Sequence, residues 1–423
     1  MALLYYRVPM TYASWGWREP AAALRCALAP CGREKQRLAG EIAELYGGGV
    51  SLWASGRAAL EAIFQAVASA SPGRTAALMP SLLCRSVAER AAAAGLRPRF
   101  FDIRPDLTPD LDHAREIAGP DTACAVVPHL YGRLSDLRGF FDFCRSAGII
   151  LIEDCAAAFL LRHPDGSPCG RHADVAIFSF NTGKTAVAGG GGALMVRTVL
   201  SVPPPAPWPA AQERRQALAR LWFALSYAWP WVGHLLLFAP MRWWRAVAPQ
   251  AASGRPITAV DAAIARIQMQ RWPRLFRRRL EIQAMYASSL DGMAGLRLPQ
   301  YRPGAYLTRL FVEFPVNVNN PRLPRYAVRE KLRSLGIQTH LPYAPLHLDP
   351  GFGDPQPGAC PVAESVADRC LAVPSQPELT DSQVQVVCRA LREIAAGLAR
   401  GDWMPEPAAA DAVPPAERRP DVE

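Results

Sequence analysis

The stretch Asp174-Val-Ala-Ile-Phe-Ser-Phe-Asn-Thr-Gly-Lys184, which continues through Ala188 into Gly189-Gly-Gly-Gly192, guides the interpretation of the whole sequence. Its apolar run from Val175 to Phe180 predicts a short buried strand, because β-branched and aromatic residues suit a pleat packed on both faces. A lysine follows the end of this strand. The four glycines beyond it permit close backbone approach and positive φ angles.

Lys184 is unusual because the chain otherwise uses arginine for positive charge. The only lysines are Lys35, Lys184 and Lys331, among 47 Lys and Arg residues in total. Arginine does not give up its proton, whereas a lysine in a dry pocket can be neutral and nucleophilic. A lysine kept at the end of a buried strand therefore indicates Schiff-base chemistry. The alternative is an ordinary surface lysine after a strand.

Length and composition restrict the class of protein. The chain has 423 residues, half of them hydrophobic, which predicts a large core and two closely joined domains. The net charge is +10, but the arginines are scattered, which favours anionic substrates or a membrane surface over nucleic acid. Ten cysteines without CxxC pairs, and no signal peptide, predict reduced thiols in a cytoplasmic protein without a metal site.

The first half of the chain alternates between strand and helix patterns. A helix is expected over 33–46, and a short strand then turns at Ser55-Gly56 into a helix that starts at Arg57. Further strands are predicted at 75–79, 99–103, 123–128 and 149–154, with helices at 86–94, 111–117 and 136–147 between them. This alternation predicts an α/β fold with a parallel sheet and ligands at the carboxyl ends of its strands.

Polar residues follow these strands at the predicted ligand-binding edge. Asp154 ends a fully apolar strand, where an ionised carboxylate needs a cationic partner such as a protonated pyridine nitrogen. Ser55-Gly56 opens a helix, whose free N–H groups bind phosphate readily. Each also has a purely structural alternative, namely an aspartate that caps the next helix and a serine N-cap without a ligand.

Several short motifs occur in an order that resembles a known family. They are Ser-Gly-Arg-Ala-Ala-Leu (55–60), Val-Pro-His-Leu-Tyr-Gly (127–132), Ile-Glu-Asp-Cys-Ala-Ala (152–157), Ser-Phe-Asn-Thr-Gly-Lys (179–184), Gly-Gly-Ala-Leu (191–194), Tyr-Ala-Pro-Leu-His (343–347), Pro-Val-Ala-Glu (361–364) and Leu-Ala-Val-Pro (371–374). Together they resemble the DegT/DnrJ/EryC1/StrS family of sugar aminotransferases over roughly residues 35–400. The resemblance implies a pyridoxal-phosphate-dependent transferase of fold type I. Its large domain would contain a mainly parallel sheet flanked by helices, and a smaller C-terminal α+β domain would follow.

The resemblance also implies roles for individual residues. Lys184 would form the Schiff base with pyridoxal phosphate and act as the catalytic proton shuttle, and Asp154 would pair with the pyridinium nitrogen. The cofactor phosphate would be held by Ser179 and by the turn Ser55-Gly56-Arg57. Tyr343 and His347 would lie near the substrate mouth. Members of the family are usually homodimers whose sites the partner subunit completes.

At four positions the sequence departs from the family pattern. Ala157 replaces a glutamine near the cofactor's phenolic oxygen, and Cys84 or a leucine replaces an aromatic residue that stacks on the ring. Asn181 stands where a histidine is common. Where the partner's asparagine would reach the phosphate, the chain has Gly254-Arg255-Pro256, and the charge of Arg255 could substitute for it.

An insertion at about 200–252 is rich in tryptophan, and Leu221 to Met241 contains no charged residue. A bilayer-spanning helix would separate two domains that must share one cofactor, so spanning is excluded if this fold is correct. The stretch 221–245 is instead expected either to contact the membrane interface as a peripheral hairpin or to pack in the dimer interface. The expected divisions are an N-terminal arm (1–34), the large domain (35–260), the linker helix with the small domain (261–402), and a disordered tail (403–423). The first 20 residues or so are expected to be irregular, a long helix is expected over 274–287, and a strand is expected over 307–316.

The resemblance and the basic charge favour an aminotransferase that transfers an amino group, from glutamate, to a keto-sugar nucleotide or a related carbonyl compound. Such an enzyme would serve the synthesis of a cell-surface polysaccharide or a natural product. The alternative is a non-transaminating or catalytically silent family member that acts as a scaffold at the membrane. The departures at Ala157 and Gly254-Arg255-Pro256 keep this alternative open.

Overall fold

The structure is a computed structural model that describes residues 6–10, 14–29, 31–228, 254–293, 295–298, 314–318, 325–341 and 343–400. The side chains at 224–228 and 398–400 are not part of this description. Most of the predicted hairpin at 221–245 and the predicted tail at 403–423 lie outside the described residues. So do residues 307–313 of a strand that the sequence predicts at 307–316.

A large sheet of seven strands forms the centre of the described fold, in the order β1-β7-β6-β5-β4-β2-β3. Strands β3, β2, β4, β5 and β6 are mutually parallel, while β7 runs antiparallel to both β6 and β1. The prediction of a mainly parallel sheet is confirmed. Its strands are β1 Gly49–Trp53, β2 Ala76–Pro80, β3 Arg97–Phe101, β4 Thr122–Pro128, β5 Ile150–Asp154, β6 Val175–Ser179 and β7 Gly192–Val196.

Helices cover both faces of this sheet and lead into a smaller C-terminal unit. In chain order they are α1 Arg18–Leu28, α2 Arg33–Tyr46, α3 Gly56–Ala70, α4 Arg85–Ala93, α5 Leu111–Ile117, α6 Leu137–Ala147, α7 Ala210–Ala228, α8 Ala259–Leu290, α9 Arg325–Ser334, α10 Pro361–Arg369 and α11 Asp381–Arg400. The smaller unit contains a three-stranded antiparallel sheet in the order β10-β9-β8. Its strands are β8 Leu296–Arg297, β9 Phe314–Val318 and β10 Cys370–Val373.

Strand β6 shows why helices are needed on both sides of the large sheet. Val175 and Ile177 belong to the apolar core on one face, whereas Ala176 and Phe178 belong to the core on the other. Successive side chains of a strand point to opposite faces, so a fully buried strand must be apolar throughout. The run that opened the sequence analysis meets this requirement.

Hydrogen bonds and one long helix connect the large sheet and its helices with the smaller C-terminal unit. The Asp102 carboxylate accepts hydrogen bonds from the N–H groups of Val362 and Ala363, at 2.9 and 2.8 Å, in the first turn of α10. Helix α8 has 32 residues and runs without interruption from beside the large sheet to α11. The predicted domain boundary between residues 260 and 261 lies close to the start of this helix, and it remains our proposal.

Two elements differ from the sequence prediction. Helix α1 begins at Arg18, although the first 20 residues were expected to be irregular, and α8 begins at Ala259 rather than near Arg274. Pro273 lies within α8 and obscures the helical pattern there. Within the described part of the chain, no helix combines the length and the apolar character that crossing a bilayer requires.

Candidate active site

Lys184 lies in the loop between β6 and β7, just beyond the carboxyl end of β6. Gly183 before it has a φ of 73°, a left-handed conformation that favours glycine. The Lys184 side chain is partly buried and makes no hydrogen bond or ion pair with a described residue. Its amine is therefore available for a ligand.

Asp154 ends β5, the parallel neighbour of β6, and pairs in register with Ile177. One carboxylate oxygen accepts a hydrogen bond from the Ala156 N–H at 2.9 Å. Burial raises the pKa of Asp154 above its ordinary value, although the Ala156 N–H and the charge of Lys184 act to lower it. An ionised Asp154 is thus short of positive charge, which a cationic ligand at this point would supply.

Opposite these residues, the start of α3 forms a cradle of backbone N–H groups. Ser55 caps the helix, and its hydroxyl accepts a hydrogen bond from the Ala58 N–H at 3.1 Å. A Cβ at Gly56 would lie 3.3 Å from the Ser179 hydroxyl oxygen, so the two residues are in close approach. A Cβ at Gly192 would lie 2.6 Å from the Gly56 nitrogen. Glycine at both positions lets the start of α3 pack closely against the ends of β6 and β7.

The cradle has the chemistry of a phosphate site. The N–H groups of Gly56 and Arg57 belong to the first turn of α3, where they have no partner inside the helix. The Ser179 hydroxyl makes no hydrogen bond with a described residue and lies beside them. Partial positive charge from the helix dipole adds to the attraction for an anion. These residues fit the phosphate of the implied cofactor, and Asp154 fits its ring nitrogen.

Behind Asp154, a buried histidine and glutamate form a hydrogen-bonded pair. His129 Nε2 lies 2.8 Å from Glu153 Oε1, and His129 Nδ1 accepts a hydrogen bond from the Ser135 N–H at 3.0 Å. Burial alone would raise the pKa of Glu153, but the hydrogen bonds from His129 and from the Gly170 N–H lower it below its ordinary value. Glu153 is therefore held as a carboxylate.

Next to this pair, histidine and cysteine side chains lie as close together as the ligands of a metal ion would. One ligand atom from each of His129, His163 and Cys169 lies within 4.8 Å of the others. Because Nδ1 of His129 accepts a hydrogen bond, Nε2 must carry the ring proton and donate a hydrogen bond to Glu153. Both nitrogens of His129 are then in use, so metal ligation would require breaking one of these bonds.

Two tyrosines contact each other, and one of them, Tyr131, follows the carboxyl end of β4. The ring of Tyr131 stacks on Tyr343 with centroids 5.8 Å apart and an interplanar angle of 19°. Tyr131 has a φ of 55°, a strained conformation for a residue with a side chain. Tyr343 thus contacts a residue that follows a strand of the large sheet.

His347, the other predicted mouth residue, is buried between two side chains. Its Nδ1 lies 2.5 Å from the Ser81 hydroxyl and its Nε2 lies 2.9 Å from Glu364 Oε1. Both ring nitrogens are occupied, so the structure places His347 as a link between the turn after β2 and helix α10. Direct contact of this ring with a substrate would require breaking one of these bonds.

The remaining predicted residues lie around the site with their own partners. Cys84 directly precedes α4 and makes no capping hydrogen bond, and its sulfur lies 3.1 Å from the Ser86 hydroxyl. Asn181 accepts a hydrogen bond from the Thr182 N–H at 2.9 Å, and Ala157 is partly buried in the turn after Asp154.

Only the backbone of Arg255 lies close to the cradle. The Arg255 carbonyl accepts a hydrogen bond from the Ala54 N–H at 2.8 Å, directly before Ser55. Its guanidinium turns away and donates to the Pro207 carbonyl at 2.5 Å, above the ring of Trp208. Within its own chain Arg255 therefore does not direct its charge into the cradle.

Some residues of the site were not singled out from the sequence. Tyr131 and His129 were noted only as parts of a motif at a strand end, and the stacking and hydrogen bonding that involve them are long-range. Thr185, beside the lysine, has a buried hydroxyl oxygen without a hydrogen bond to a described residue. For Tyr131 and His129, the position after a predicted strand was the one sequence feature that pointed to the site. No sequence feature pointed to Thr185.

A primary amine, a carboxyl group and an anion cradle thus meet at one edge of the sheet. An amine without a partner can attack a carbonyl carbon and then carry a proton. A buried carboxylate can hold a protonated ring nitrogen, and the cradle can hold a phosphate. This is the arrangement by which a protein binds a phosphorylated pyridine aldehyde.

Comparisons with known proteins agree with this chemistry. The profile of the DegT/DnrJ/EryC1/StrS aminotransferase family matches residues 21–198 and 239–392. A dTDP-4-dehydro-2,3,6-trideoxy-D-glucose 4-aminotransferase of Saccharopolyspora spinosa is 29% identical over 79% of this chain and 81% of its own length. A UDP-N-acetyl-3-dehydro-alpha-D-glucosamine 3-aminotransferase of Acidithiobacillus ferrooxidans is 28% identical over 85% and 88%.

Solved structures give the same result for the fold. The aminotransferase TlmJ from Streptoalloteichus hindustanus aligns with a TM-score of 0.72 and 28% identity, over 94% of this chain and all of its own. DesV of S. venezuelae, solved in complex with a ketimine intermediate, aligns with a TM-score of 0.68 and 25% identity, over 89% and 94%.

Proposed function

Because the chain belongs to the DegT/DnrJ/EryC1/StrS aminotransferase family, we propose that it is a pyridoxal-phosphate-dependent aminotransferase for a keto-sugar nucleotide or a related carbonyl compound. Glutamate is the proposed amino donor, and the product would enter a cell-surface polysaccharide or a natural product. The proposed site of the reaction is the cytoplasm. The names of both sugar-nucleotide relatives support this substrate class, since each specifies a dehydro sugar linked to a nucleotide.

One observation supports the proposal most directly: Lys184 and Asp154 lie at the carboxyl ends of two neighbouring strands. The amine of Lys184 makes no hydrogen bond or ion pair with a described residue, and its charge acts on Asp154. An ordinary surface lysine would not lie beside a partly buried carboxylate that is short of positive charge. The cradle at Gly56 and Ser179 supplies the third contact that a phosphorylated cofactor needs.

Each residue of the site has a distinct proposed task. When bound, pyridoxal phosphate supplies the electron sink that stabilises negative charge at the carbon next to the nitrogen. Asp154 holds the ring nitrogen in its protonated form, and the N–H groups of Gly56 and Arg57 bind the phosphate together with the Ser179 hydroxyl. Lys184 Nζ would anchor the cofactor and would carry the proton that the reaction transfers.

The glutamate–histidine pair behind Asp154 supports these tasks from the rear. Glu153 and Asp154 are consecutive, and His129 contacts the first through its side chain and the second through its backbone N–H, at 3.1 Å. This packing fixes the end of β5. We propose that His129 and Glu153 act as positioning residues for the Asp154 carboxylate.

The substrate mouth would lie at Tyr131 and Tyr343. Their stacked rings offer an apolar and hydrogen-bonding surface between the large and the small unit. A sugar ring presents both kinds of group and would contact such a surface. The departures at Ala157 and Cys84 remove a polar and an aromatic contact of the family pattern, and we propose that they alter substrate choice.

A labelled amino group tests the proposed reaction. The protein, loaded with pyridoxal phosphate, is incubated with ¹⁵N-glutamate and a set of 3-keto and 4-keto nucleotide sugars, and the products are analysed by mass spectrometry. Transfer of the label to one of these sugars by the wild type, and not by Lys184→Ala, is the expected result. Cofactor binding without transfer to any sugar would instead favour the silent scaffold.

Homodimerisation and membrane contact form a separate part of the proposal. The charge-free sequence from Leu221 to Met241, followed by Arg242-Trp-Trp-Arg245, is typical of a membrane interface. We propose a homodimer that contacts anionic membranes peripherally through this sequence. Flotation with anionic liposomes at low salt should recover the wild type but not a variant that lacks residues 229–245. If the deletion leaves flotation unchanged and only lowers the molecular mass measured by light scattering, the segment packs in the dimer interface instead.

A further inference from the structure

Four arginines of α8 line a cleft on the protein surface that the proposed reaction does not use. The cleft has a volume of about 480 Å³. It lies between α8, the N-terminal segment and the turn before α11. We call it the arginine cleft, and the lining residues that matter here are Arg271, Arg274, Arg277, Arg278, Trp15 and Glu378.

Two of these arginines are already neutralised. Arg271 contacts the buried Glu19 carboxylate at 2.7 Å, and Arg278 contacts the Asp381 carboxylate at 2.6 Å. Arg278 also contacts Glu281, which lies on the cleft wall, at 3.2 Å. These pairs fix the walls of the cleft and leave little of their charge for a ligand.

Arg274 and Arg277 are different, because both are exposed and neither forms an ion pair with a described residue. They stand three residues apart on one helix, where like charges repel each other. Glu378 is the one lining carboxylate without an ion pair to a described residue. The four arginines are balanced in total charge by four carboxylates, those of Glu19, Glu281, Glu378 and Asp381. What the cleft offers a ligand is therefore the two unpaired guanidinium groups of Arg274 and Arg277, not a net positive charge.

The arginine chemistry selects a class of ligand. A guanidinium is a planar fork of N–H donors that matches phosphate oxygens, and two forks side by side can hold one phosphate or a pyrophosphate. Bound phosphate would also relieve the repulsion between Arg274 and Arg277. We propose that the arginine cleft is a second binding site, which takes a phosphate-bearing ligand.

Trp15 connects this cleft to the lysine loop. Its indole N–H donates to the Val187 carbonyl at 2.9 Å, three residues beyond Lys184. Its ring also contacts Phe223 of α7 edge-on, with centroids 5.1 Å apart. A ligand in the cleft would therefore lie against a residue that contacts both the lysine loop and α7.

The phosphate could come from a soluble ligand or from a lipid headgroup, and one experiment covers both sources. The full chain, loaded with pyridoxal phosphate, is titrated calorimetrically with inorganic pyrophosphate and is sedimented with vesicles of phosphatidylcholine and phosphatidylglycerol. The variant R274A/R277A tests the cleft. The control R138A/R145A removes two exposed arginines of α6 that form no ion pair with a described residue.

We expect R274A/R277A to weaken pyrophosphate binding about tenfold or more, since each charged hydrogen bond contributes on this scale. The control should change binding by less than about twofold, because distant exposed charges are screened. Glu378→Gln should strengthen binding, since it removes the one unpaired carboxylate of the wall. Transamination without added pyrophosphate should be unchanged in R274A/R277A.

The two sources give different results in the vesicle arm. A headgroup site predicts vesicle binding that R274A/R277A abolishes and that pyrophosphate displaces. A site for a soluble ligand predicts vesicle binding that does not depend on these arginines. Equal losses in R274A/R277A and R138A/R145A, or no pyrophosphate binding by the wild type, would overturn the proposal.

Discussion

The Nε atom of Arg220 lies 2.6 Å from Oδ1 of Asp261, and both side chains are buried. Arg220 belongs to α7 and Asp261 to the first turn of α8. A Cβ at Gly189 would lie 2.9 Å from Arg220 Nε, and a Cβ at Gly190 would lie 2.8 Å from its Nη2. The glycine run after Lys184 therefore packs on an ion pair that ties the inserted helix to the site.

Arg220→Ala should destabilise the protein strongly. The substitution leaves the Asp261 carboxylate buried with Thr258 as its remaining side-chain donor, and breaking a buried ion pair in this way costs about 3–5 kcal/mol. Urea unfolding followed by fluorescence measures the change. Arg215→Ala removes an exposed arginine of the same helix and should alter the free energy of unfolding by less than about 0.5 kcal/mol. Equal effects of the two substitutions would contradict the assigned role of the pair.

Asp154→Asn should make the cofactor-free protein more stable and should weaken its binding of pyridoxal phosphate. Burial raises the pKa of Asp154, so the side chain stabilises the fold only in its protonated, uncharged form. This contribution is lost as pH rises through the raised pKa. The gain in melting temperature from Asp154→Asn should therefore be larger at pH 8 than at pH 5. Cofactor affinity is measured separately by fluorescence titration. A loss of stability at pH 8 would show that Asp154 has another charged partner.

His129→Ala should leave Glu153 as a buried carboxylate with one hydrogen-bond donor fewer. We expect a loss of about 3 kcal/mol in the free energy of unfolding, and the double variant H129A/E153Q should recover part of it. Because its partners lower the pKa of Glu153, the wild type loses this stabilisation as pH falls through that lowered pKa. Glu153→Gln should flatten this acid dependence. Additive effects in the double variant would mean that the two residues are not coupled.

Gly192→Ala should weaken the binding of pyridoxal phosphate through the cradle. The added Cβ would lie 2.6 Å from the Gly56 nitrogen and 2.8 Å from the Phe178 carbonyl oxygen, so the start of α3 must shift. We expect a loss of at least about tenfold in cofactor affinity, because a displaced N–H cradle no longer fits the phosphate.

The matched control for this change is Gly40→Ala, in the middle of α2. A Cβ there would meet nothing within 4 Å, so the substitution should stabilise the helix by about 0.5–1 kcal/mol and leave cofactor affinity unchanged. Unchanged cofactor affinity in Gly192→Ala as well would mean that the cradle is not the phosphate site.

The architecture and the centre of the site follow closely from local patterns in the sequence. Helix α2 begins and ends where the apolar spacing of Leu38, Ile42 and Leu45 predicts, and β6 corresponds to the run that precedes Lys184. Strand alternation predicts the parallel sheet. Since the carboxyl ends of parallel strands share one edge, it also predicts that Lys184 and Asp154 lie near each other.

Features that depend on contacts between distant parts of the chain could not be predicted in this way. Arg220 and Asp261 are 41 residues apart, and nothing in the local sequence of either residue specifies its partner. Ser81 and His347 are 266 residues apart, so the hydrogen bond that joins the turn after β2 to His347 could not be read from the local sequence of either residue. Helix α1 escaped prediction because the start of its pattern, at Arg18, follows two tryptophans and a glycine without a clear apolar period.

The central claim is that Lys184 is the residue that anchors pyridoxal phosphate. The most direct test is to load the protein with the cofactor, reduce it with borohydride and locate the stable adduct by peptide mass spectrometry. The chain's other lysines, Lys35 and Lys331, provide internal controls. The account predicts an adduct on Lys184 alone, together with an absorption band at roughly 400–430 nm that is absent in Lys184→Ala and retained in Lys331→Ala. An adduct on Lys35 or Lys331, or none at saturating cofactor, would contradict it.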